Sequence, residues 1–437
     1  MAIIAQKNLF DWKKIEKLPD LKRFELVLNN IPDEKLMIKL ENKRKNGRDD
    51  YSVRAMWNSL IAGIVFDHER IATLRRELKR NPALLEICGF NIFKKGEVVP
   101  TASAYTRFLK SLFEEQPLIT EMFNNLVEEC REILPGFGKN LALDGKAISS
   151  FAVKSGNVKG DMRGDHDADW GKHVYSGVGS EGKLWEKVKS WFGYTLHLLI
   201  DSDYGLPVNF TVTRASISEI KVAPILLEST RRRHPELIEN TEYLQGDRGF
   251  DSSSFISMLW DEYSIKPIIG IRNMWKDPDT TKMLQGYSNI VYNYKGDVSC
   301  YCPATNQKRD MAYGGFEKDR NALKYKCPAK AYGYECQGEK YCPARTGIRI
   351  PLSLDRRIFT PVARSSYKWE TLYKKRTSVE RVNSRLDVSF GFEHHTIRGQ
   401  KKMSMRVSLA FIIMLSLAVG WMKEGKPELI RSLVRAG

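Results

Sequence analysis

The sequence predicts an α/β protein with a helical N-terminal region, a core of strands and helices, and a cysteine-rich insertion before the last helices. Three observations carry this reading. Apolar residues recur at helix spacing early in the chain, as in Val53, Met56, Trp57, Leu60, Ile61 and Ile64. Two alternating apolar runs, Trp191–Ile200 and Val208–Thr213, flank the turn residues DSDYGLP and read as a hairpin. Finally, YKKRTSVERVNSRLD, from Tyr373 to Asp387, lacks glycine and proline and reads as a helix of about four turns.

At 437 residues the chain is long for one ordinary core, so two or three domains are expected. Hydrophobic residues at 42% and charged residues at 28% are the balance of a soluble globular protein. The net charge of +17, from 70 Lys and Arg against 53 Asp and Glu, can serve solubility alone. It also points to a polyanion partner, and nucleic acid is the commonest. The N-terminal MAIIAQKNLFDWKKIEKL has no long apolar stretch and no small-residue cleavage site, so export is not expected. The apolar run Val407–Met422 is shorter than the roughly 20 residues of a membrane span and is flanked by Arg406 and Lys423. A buried helix is expected there, with no membrane contact.

Residues 1–135 read as a helical domain that binds DNA. Tyr105, Phe108, Leu109, Leu112 and Phe113 follow the capping candidates Thr101 and Ser103. In LRRELKRNP, the charges Arg75, Arg76, Lys79 and Arg80 precede Pro82, and they suit a DNA-facing patch or a solvated helix face equally. NKRKNGR, residues 42–48, reads as an exposed loop. Residues 136–270 form the first part of the core. Here NLALDGKAI is a short apolar run ending at Asp144, with Gly145 as a turn residue. Ser155–Gly182 reads as a flexible loop whose acids, Asp161, Asp165, Asp167 and Asp169, are solvated. After the hairpin, Ser218–Arg231 looks helical despite Pro224, and a short strand at Tyr243 and Leu244 leads into QGDRGFDS with Asp247. Residues 271–355 lose helical periodicity and gain cysteine, and 356–437 return to regular structure.

The chemistry is concentrated on one helix face. A 3.6-residue period aligns Tyr373, Arg376 and Glu380, continued by Asn383, Ser384 and Asp387. A carboxylate there suits a metal ion, while a guanidinium and a phenol suit phosphate oxygens. Asp144 and Asp247 each lie in or just after a strand-like segment. The three acids together suggest a site for metal-dependent phosphoryl transfer on DNA, where two divalent ions, Mg2+ or Mn2+, are held by oxygen ligands. His197 alternates within an apolar strand and reads as structural. His394 and His395 merely follow the site helix.

Five of the seven cysteines, Cys300, Cys302, Cys327, Cys336 and Cys342, fall close together. They are expected to be reduced, so a metal outranks disulfides. The spacing is not a repeated C-x2-C, yet a four-cysteine zinc knuckle remains the expectation, with the unused cysteine undecided.

These residues resemble the DDE transposases of bacterial insertion sequences that carry a Y-x2-R-x3-E-x6-K signature. Tyr373, Arg376 and Glu380 match it, whereas Asp387 stands at the lysine position; Asn383 and Ser384 on the same face and Arg385, nearby but turned away, are none of them obvious substitutes. DGK at Asp144, GDRGFDS at Asp247 and the hairpin Gly193–Ser216 resemble the contexts of the family's core. LEICGF and YTRFLKSLF resemble the preceding helical domain. The resemblance implies an RNase H-like core with the cysteine-rich insertion before its last catalytic helix. It implies that Asp144, Asp247 and Glu380 bind two Mg2+ or Mn2+ ions, and that Arg376 and Tyr373 contact DNA phosphates; neighbouring Arg385 is added as a DNA-binding candidate. Cleavage at transposon ends and strand transfer of the 3′-OH into target DNA would follow. The partners would be double-stranded DNA and a second copy of the chain, in the bacterial cytoplasm at the nucleoid. The rival expectation is a catalytically inactive DNA-binding regulator or relic.

Overall fold

The central sheet grows outward from β1 (Asn140–Ser149), which is buried over its first half. The computed structural model describes residues 19–432, apart from 45–49, 94–95, 153–163, 179–183, 276 and 278. On one side β1 pairs antiparallel with β3 (Leu184–Asp201), which pairs antiparallel with β4 (Leu206–Arg214). On the other side β5 (Tyr243–Gly246) and β6 (Lys266–Ile269) run parallel to β1. The order is therefore β4–β3–β1–β5–β6, and β2 (Asp169–Val178) pairs with the first half of β3. Parallel neighbours need crossovers, and the helices Glu219–Arg233 and Ser253–Asp261 supply them. In the β1–β5 register Ala142 lies opposite Gln245, so Asp144, two residues on in β1, and Asp247, one residue past the end of β5, leave the paired segment at the same end.

Three local readings are corrected here. Gly145 is not a turn residue, because β1 continues through it to Ser149 with Gly145 opposite His197. Part of the stretch taken as a flexible loop is strand β2, hidden by its glycines and polar residues. Its acids are not all solvated either. Asp165 is buried and accepts from Ser150 Oγ at 2.5 Å, Tyr194 Oη at 2.5 Å and the Gly399 amide at 3.0 Å. These donors outweigh burial and hold its carboxyl below the usual range. Asp167 receives the Gln400 amide at 3.1 Å, while Asp161 lies outside the described residues.

Among the described residues, seven helices precede the sheet: Pro19–Asn30, Glu34–Arg44, Val53–Val65, Ile71–Arg80, Pro82–Ile87, Ala102–Glu114 and Gln116–Ile133. Ser52 and Thr101 cap two of them, accepting from the amides of Ala55 and Ala104. In the basic Ile71–Arg80 helix, Arg75 Nε donates to the Pro100 carbonyl at 2.7 Å. Lys79 pairs with Glu97 at 3.1 Å and Arg80 with Glu77 at 2.5 Å, so acids already answer much of this charge. Of the run at 42–48, residues 42–44 finish a helix and 45–48 fall outside the described residues.

The helix Gln400–Lys423 ties the molecule together. By length and composition it could cross a membrane, with mean hydropathy 1.9, yet 89% of that window is buried within the protein. It packs against the helices Pro19–Asn30 and Gln116–Ile133 and against β4, so N-terminal helices and sheet share one hydrophobic core. Residues 281–351 instead form two small antiparallel sheets around a core that includes Ile290, Tyr292, Val298, Leu323, Tyr325, Ile348 and Ile350. Their strands are too short to leave a clear period in the sequence.

The segment read as one helix is longer and less uniform. It runs as α-helix Tyr367–Lys374, tightens to a 3₁₀ turn at Lys375–Thr377, resumes at Ser378–Ser384 and widens to a π-turn at Arg385–Ser389. Lys375 reaches Asp203 at 2.5 Å and Arg385 reaches the Gly205 carbonyl, so both grip the β3–β4 turn.

Candidate active site

Asp144 faces Asp247 across the β1–β5 boundary. Burial first, and then the charge of Asp247, push the Asp144 carboxyl up to about 6; the Gly145 amide and Arg376 pull the other way. Asn383 Nδ2 donates to Asp144 Oδ2 at 3.1 Å, which brings the site helix directly onto the strand. Asp247 follows β5 and caps the short turn Arg248–Phe250, accepting from the Gly249 amide at 2.6 Å. Arg272 fixes that turn through the carbonyls of Arg248 at 2.6 Å and Gly249 at 3.2 Å. Arg357 and the Arg272 amide both bind Asp251 Oδ2, at 3.0 and 2.7 Å.

A third acid, Glu219, enters from the first turn of the Glu219–Arg233 helix. Sequence reasoning missed it. Any side chain at Gly145 would run into the Glu219 carboxylate, and a Cβ at Gly249 would lie 3.3 Å from Glu219 Oε2. Glu219 therefore lies over the backbone next to both aspartates. Burial, then Asp144 and Asp247, raise its carboxyl to about 7, against the pull of Arg272. The available signal was the glycine after Asp144, a position read as a turn and actually reserved for a neighbour. Gly145→Ala is expected to displace Glu219 and cost about 1–3 kcal/mol, lowering the melting temperature by a few degrees. Adding Glu219→Ala should recover it. Thermal unfolding of the two variants checks this, and an unchanged melting temperature in the single variant would refute the contact.

The site helix presents the predicted face. Arg376 lies over the Tyr373 ring at 5.8 Å, and Tyr373 stacks on Trp369 at 4.7 Å. A Cβ at Gly270 would sit 2.8 Å from Tyr373 Oη, so the phenol is set against the end of β6. Glu380 is half-exposed and accepts from Arg376 Nη2 at 3.0 Å. The structure thus joins Asp144 and Asp247 closely and leaves Glu380 turned to its own helix. Among the described residues no three His, Cys, Asp or Glu side chains already converge at metal-ligand spacing.

Two expectations about neighbouring charges change. The Arg385 guanidinium is mostly buried on the Gly205 carbonyl, not presented for DNA, and burial lowers its pKa to about 10. Asp387, at the signature's lysine position, pairs with Lys146 at 2.5 Å. Lys146 stands two residues beyond Asp144 on the same face of β1, so the positive charge comes from the strand instead of the helix.

The histidines stay outside this chemistry. His197 is buried against Thr213 Oγ1 at 2.8 Å and its pKa falls to about 4 through burial. His395 falls likewise through burial and Arg406. All five clustered cysteines are free thiols. Hydrogen bonds from the Thr305 hydroxyl and the amides of Thr305 and Ala304 draw Cys302 down to about 6. Burial and the other sulfurs push Cys300 up to about 11.

A family model described as a transposase DDE domain matches residues 161–416, more than half of the chain. The chain belongs to the DDE transposase family. The match takes in Asp247, Glu219 and Glu380 and begins beyond Asp144. No curated protein matches this transposase. A cryo-EM structure of a piggyBac transposase synaptic complex with hairpin DNA aligns with 95% of this chain and 79% of its own, at 11% identity. Its TM-score of 0.38 is too low to carry fold or function across.

Proposed function

We propose that this transposase serves a bacterial insertion sequence, cutting DNA at the element's ends and joining the freed 3′-hydroxyl to target DNA. The observation that carries this is the placement of Asp144 on β1 and Asp247 just past the end of the adjacent β5, with the helix of Tyr373, Arg376 and Glu380 docked on Asp144 through Asn383. Three antiparallel strands followed by two parallel ones, in the order β4–β3–β1–β5–β6, support an RNase H-like core. Tyr373, Arg376 and Glu380 support the Y-R-E-K type, with Lys146 and Asp387 as its charge-exchanged variant.

The donor set fits hard divalent cations. Burial first, and then the neighbouring carboxylates, raise the proton affinity of Asp144 and Glu219 against the pull of Arg376 and Arg272, so these acids share one partly withdrawn cluster of oxygen donors. Asp144 and Asp247 would hold two Mg2+ or Mn2+ ions, and Glu380 would join them on leaving Arg376. Bound there, such ions would acidify water and offset the charge on the transferring phosphoryl group. Arg376, released, would turn to a DNA phosphate, with Tyr373 beside it steadied by Trp369. Water adds to the scissile phosphorus and the 3′-oxygen leaves as a hydroxyl; that hydroxyl then attacks the target phosphodiester and displaces a second 3′-oxygen.

The basic N-terminal helices, within residues 1–135, would bind the double-stranded ends, and the working unit would be a homodimer at the bacterial nucleoid. The Glu380–Arg376 pair favours a second reading, a DNA-binding regulator or relic that no longer cuts. Cleavage of a supercoiled plasmid bearing the element's own ends separates the two. Metal-dependent 3′-OH ends from the wild type and none from Glu380→Gln are expected. Tight binding of the ends by both proteins, with no cutting by either, would select the second reading.

A further inference from the structure

We propose that Cys302, Cys327, Cys336 and Cys342 form a structural zinc site that joins the two small sheets, leaving Cys300 as a free thiol. The five sulfurs share one neighbourhood. Cys300 interacts electrostatically with Cys327, Cys342 and Cys336, and Cys336 with Cys302 and Cys327. A tetrahedral thiolate site with Zn–S bonds of about 2.3 Å has sulfur–sulfur edges of about 3.8 Å. The Cys302 and Cys336 sulfurs stand 3.8 Å apart. That edge is already built, while among the described residues no third sulfur has converged to metal-ligand spacing, so the ion would draw Cys327 and Cys342 in.

The backbone separates four cysteines from the fifth. Cys302, Cys327, Cys336 and Cys342 each open a turn, their carbonyls accepting from the amides of Asn306, Ala331, Glu339 and Arg345. A turn of this kind aims the following amides back at the sulfur, which steadies a thiolate ligand. Cys300 instead sits in a regular strand between Ile290 and Arg309. The Gly338 amide serves the sulfurs of both Cys302 and Cys336. Its loop is packed so tightly on the Cys302 turn that a Cβ at Gly338 would fall 2.7 Å from Pro303 Cδ and 2.9 Å from the Ala304 nitrogen. Asn289 Nδ2 approaches Cys342 Sγ at 3.4 Å, a typical partner for a bound thiolate.

The positions also explain what zinc would do. Cys302 follows the strand Val298–Tyr301 of one sheet, and Cys327 follows Ala322–Lys326 of the other. Cys336 and Cys342 lie in the connection that leads to Ile348–Pro351. One ion would therefore fasten both sheets and the connection. The short strands already share a small hydrophobic core, and the ion would add a second link between them.

The test is the metal content of the full-length chain, purified without chelator. About one zinc per chain is expected in the wild type and in Cys300→Ser, released by a thiol-blocking mercurial. Cys302→Ser, Cys327→Ser, Cys336→Ser and Cys342→Ser should each lose most of it. Because these variants can unfold for other reasons, the wild type is also exchanged into cobalt, whose absorption reports four thiolates in a tetrahedron. A zinc-free wild type, a Cys302–Cys336 disulfide found by mass spectrometry, or zinc loss in Cys300→Ser would overturn the proposal. None of these readouts depends on DNA cleavage.

Discussion

Asp144→Asn is expected to abolish DNA cleavage, by about a thousandfold or more, and to make the metal-free protein more stable. The two effects share a cause. In the folded chain Asp144 is largely withdrawn from water though not sealed from it, and this burial first, then the charge of Asp247, lift its carboxyl from an ordinary value near 3.9 to about 6. Below about pH 4 the group is protonated folded or unfolded, and it costs nothing. Between about pH 4 and 6 the folded state keeps a proton that the unfolded chain has released. As pH rises through that window stability falls, and above it the full penalty remains, at most about 3 kcal/mol. Asparagine keeps the shape, still accepts from Asn383 and carries no charge. The melting temperatures of variant and wild type should therefore coincide near pH 4 and separate by several degrees near pH 8, the variant being higher. Magnesium or manganese should raise the wild type at pH 8 and the variant much less. A variant that tracks the wild type at every pH would refute the raised Asp144 carboxyl, and a variant that still cuts would refute its catalytic role.

The same physics explains what the sequence could tell. Asp144, Asp247 and the Tyr373–Arg376–Glu380 face were legible because each sits in a local pattern: an apolar run before an acid, or a helix period. The hairpin β3–β4 and the buried Gln400–Lys423 helix were legible for the same reason. The features that escaped depend on contacts between distant segments. Glu219 is one more acid at a helix start until β1 passes beneath it and needs a glycine there. Asp165 lies in a polar, glycine-rich stretch that reads as loop, yet Ser150, Tyr194 and Gly399 converge on it from elsewhere in the chain. Arg385 shares its helix with the site, and the helix period already turns it from the site face; what local pattern could not supply is its partner, the Gly205 carbonyl of the β3–β4 turn.

The Lys146–Asp387 pair provides the second large effect. Both side chains are mostly buried, so removing one leaves the other's charge without its partner. Lys146→Ala and Asp387→Ala are each expected to cost about 1–3 kcal/mol. Cleavage should fall further than stability does, by at least about tenfold, because the π-turn bearing Asp387 continues the helix that carries Glu380 and docks on Asp144 through Asn383. Asp387→Lys should be worse than either, since it sets two ammonium groups against each other. The exchange Lys146→Asp with Asp387→Lys rebuilds the pair in reverse. It should recover stability to within about 1 kcal/mol and cleavage to within about tenfold of the wild type. Unfolding and plasmid cleavage measured on all the variants form a double-mutant cycle. If the exchange folds well and still fails to cut, the strand lysine itself touches DNA and the pair is more than a clamp. If the exchange is no more stable than Asp387→Lys alone, the two residues are not coupled and the docking of helix on strand must rest on Asn383.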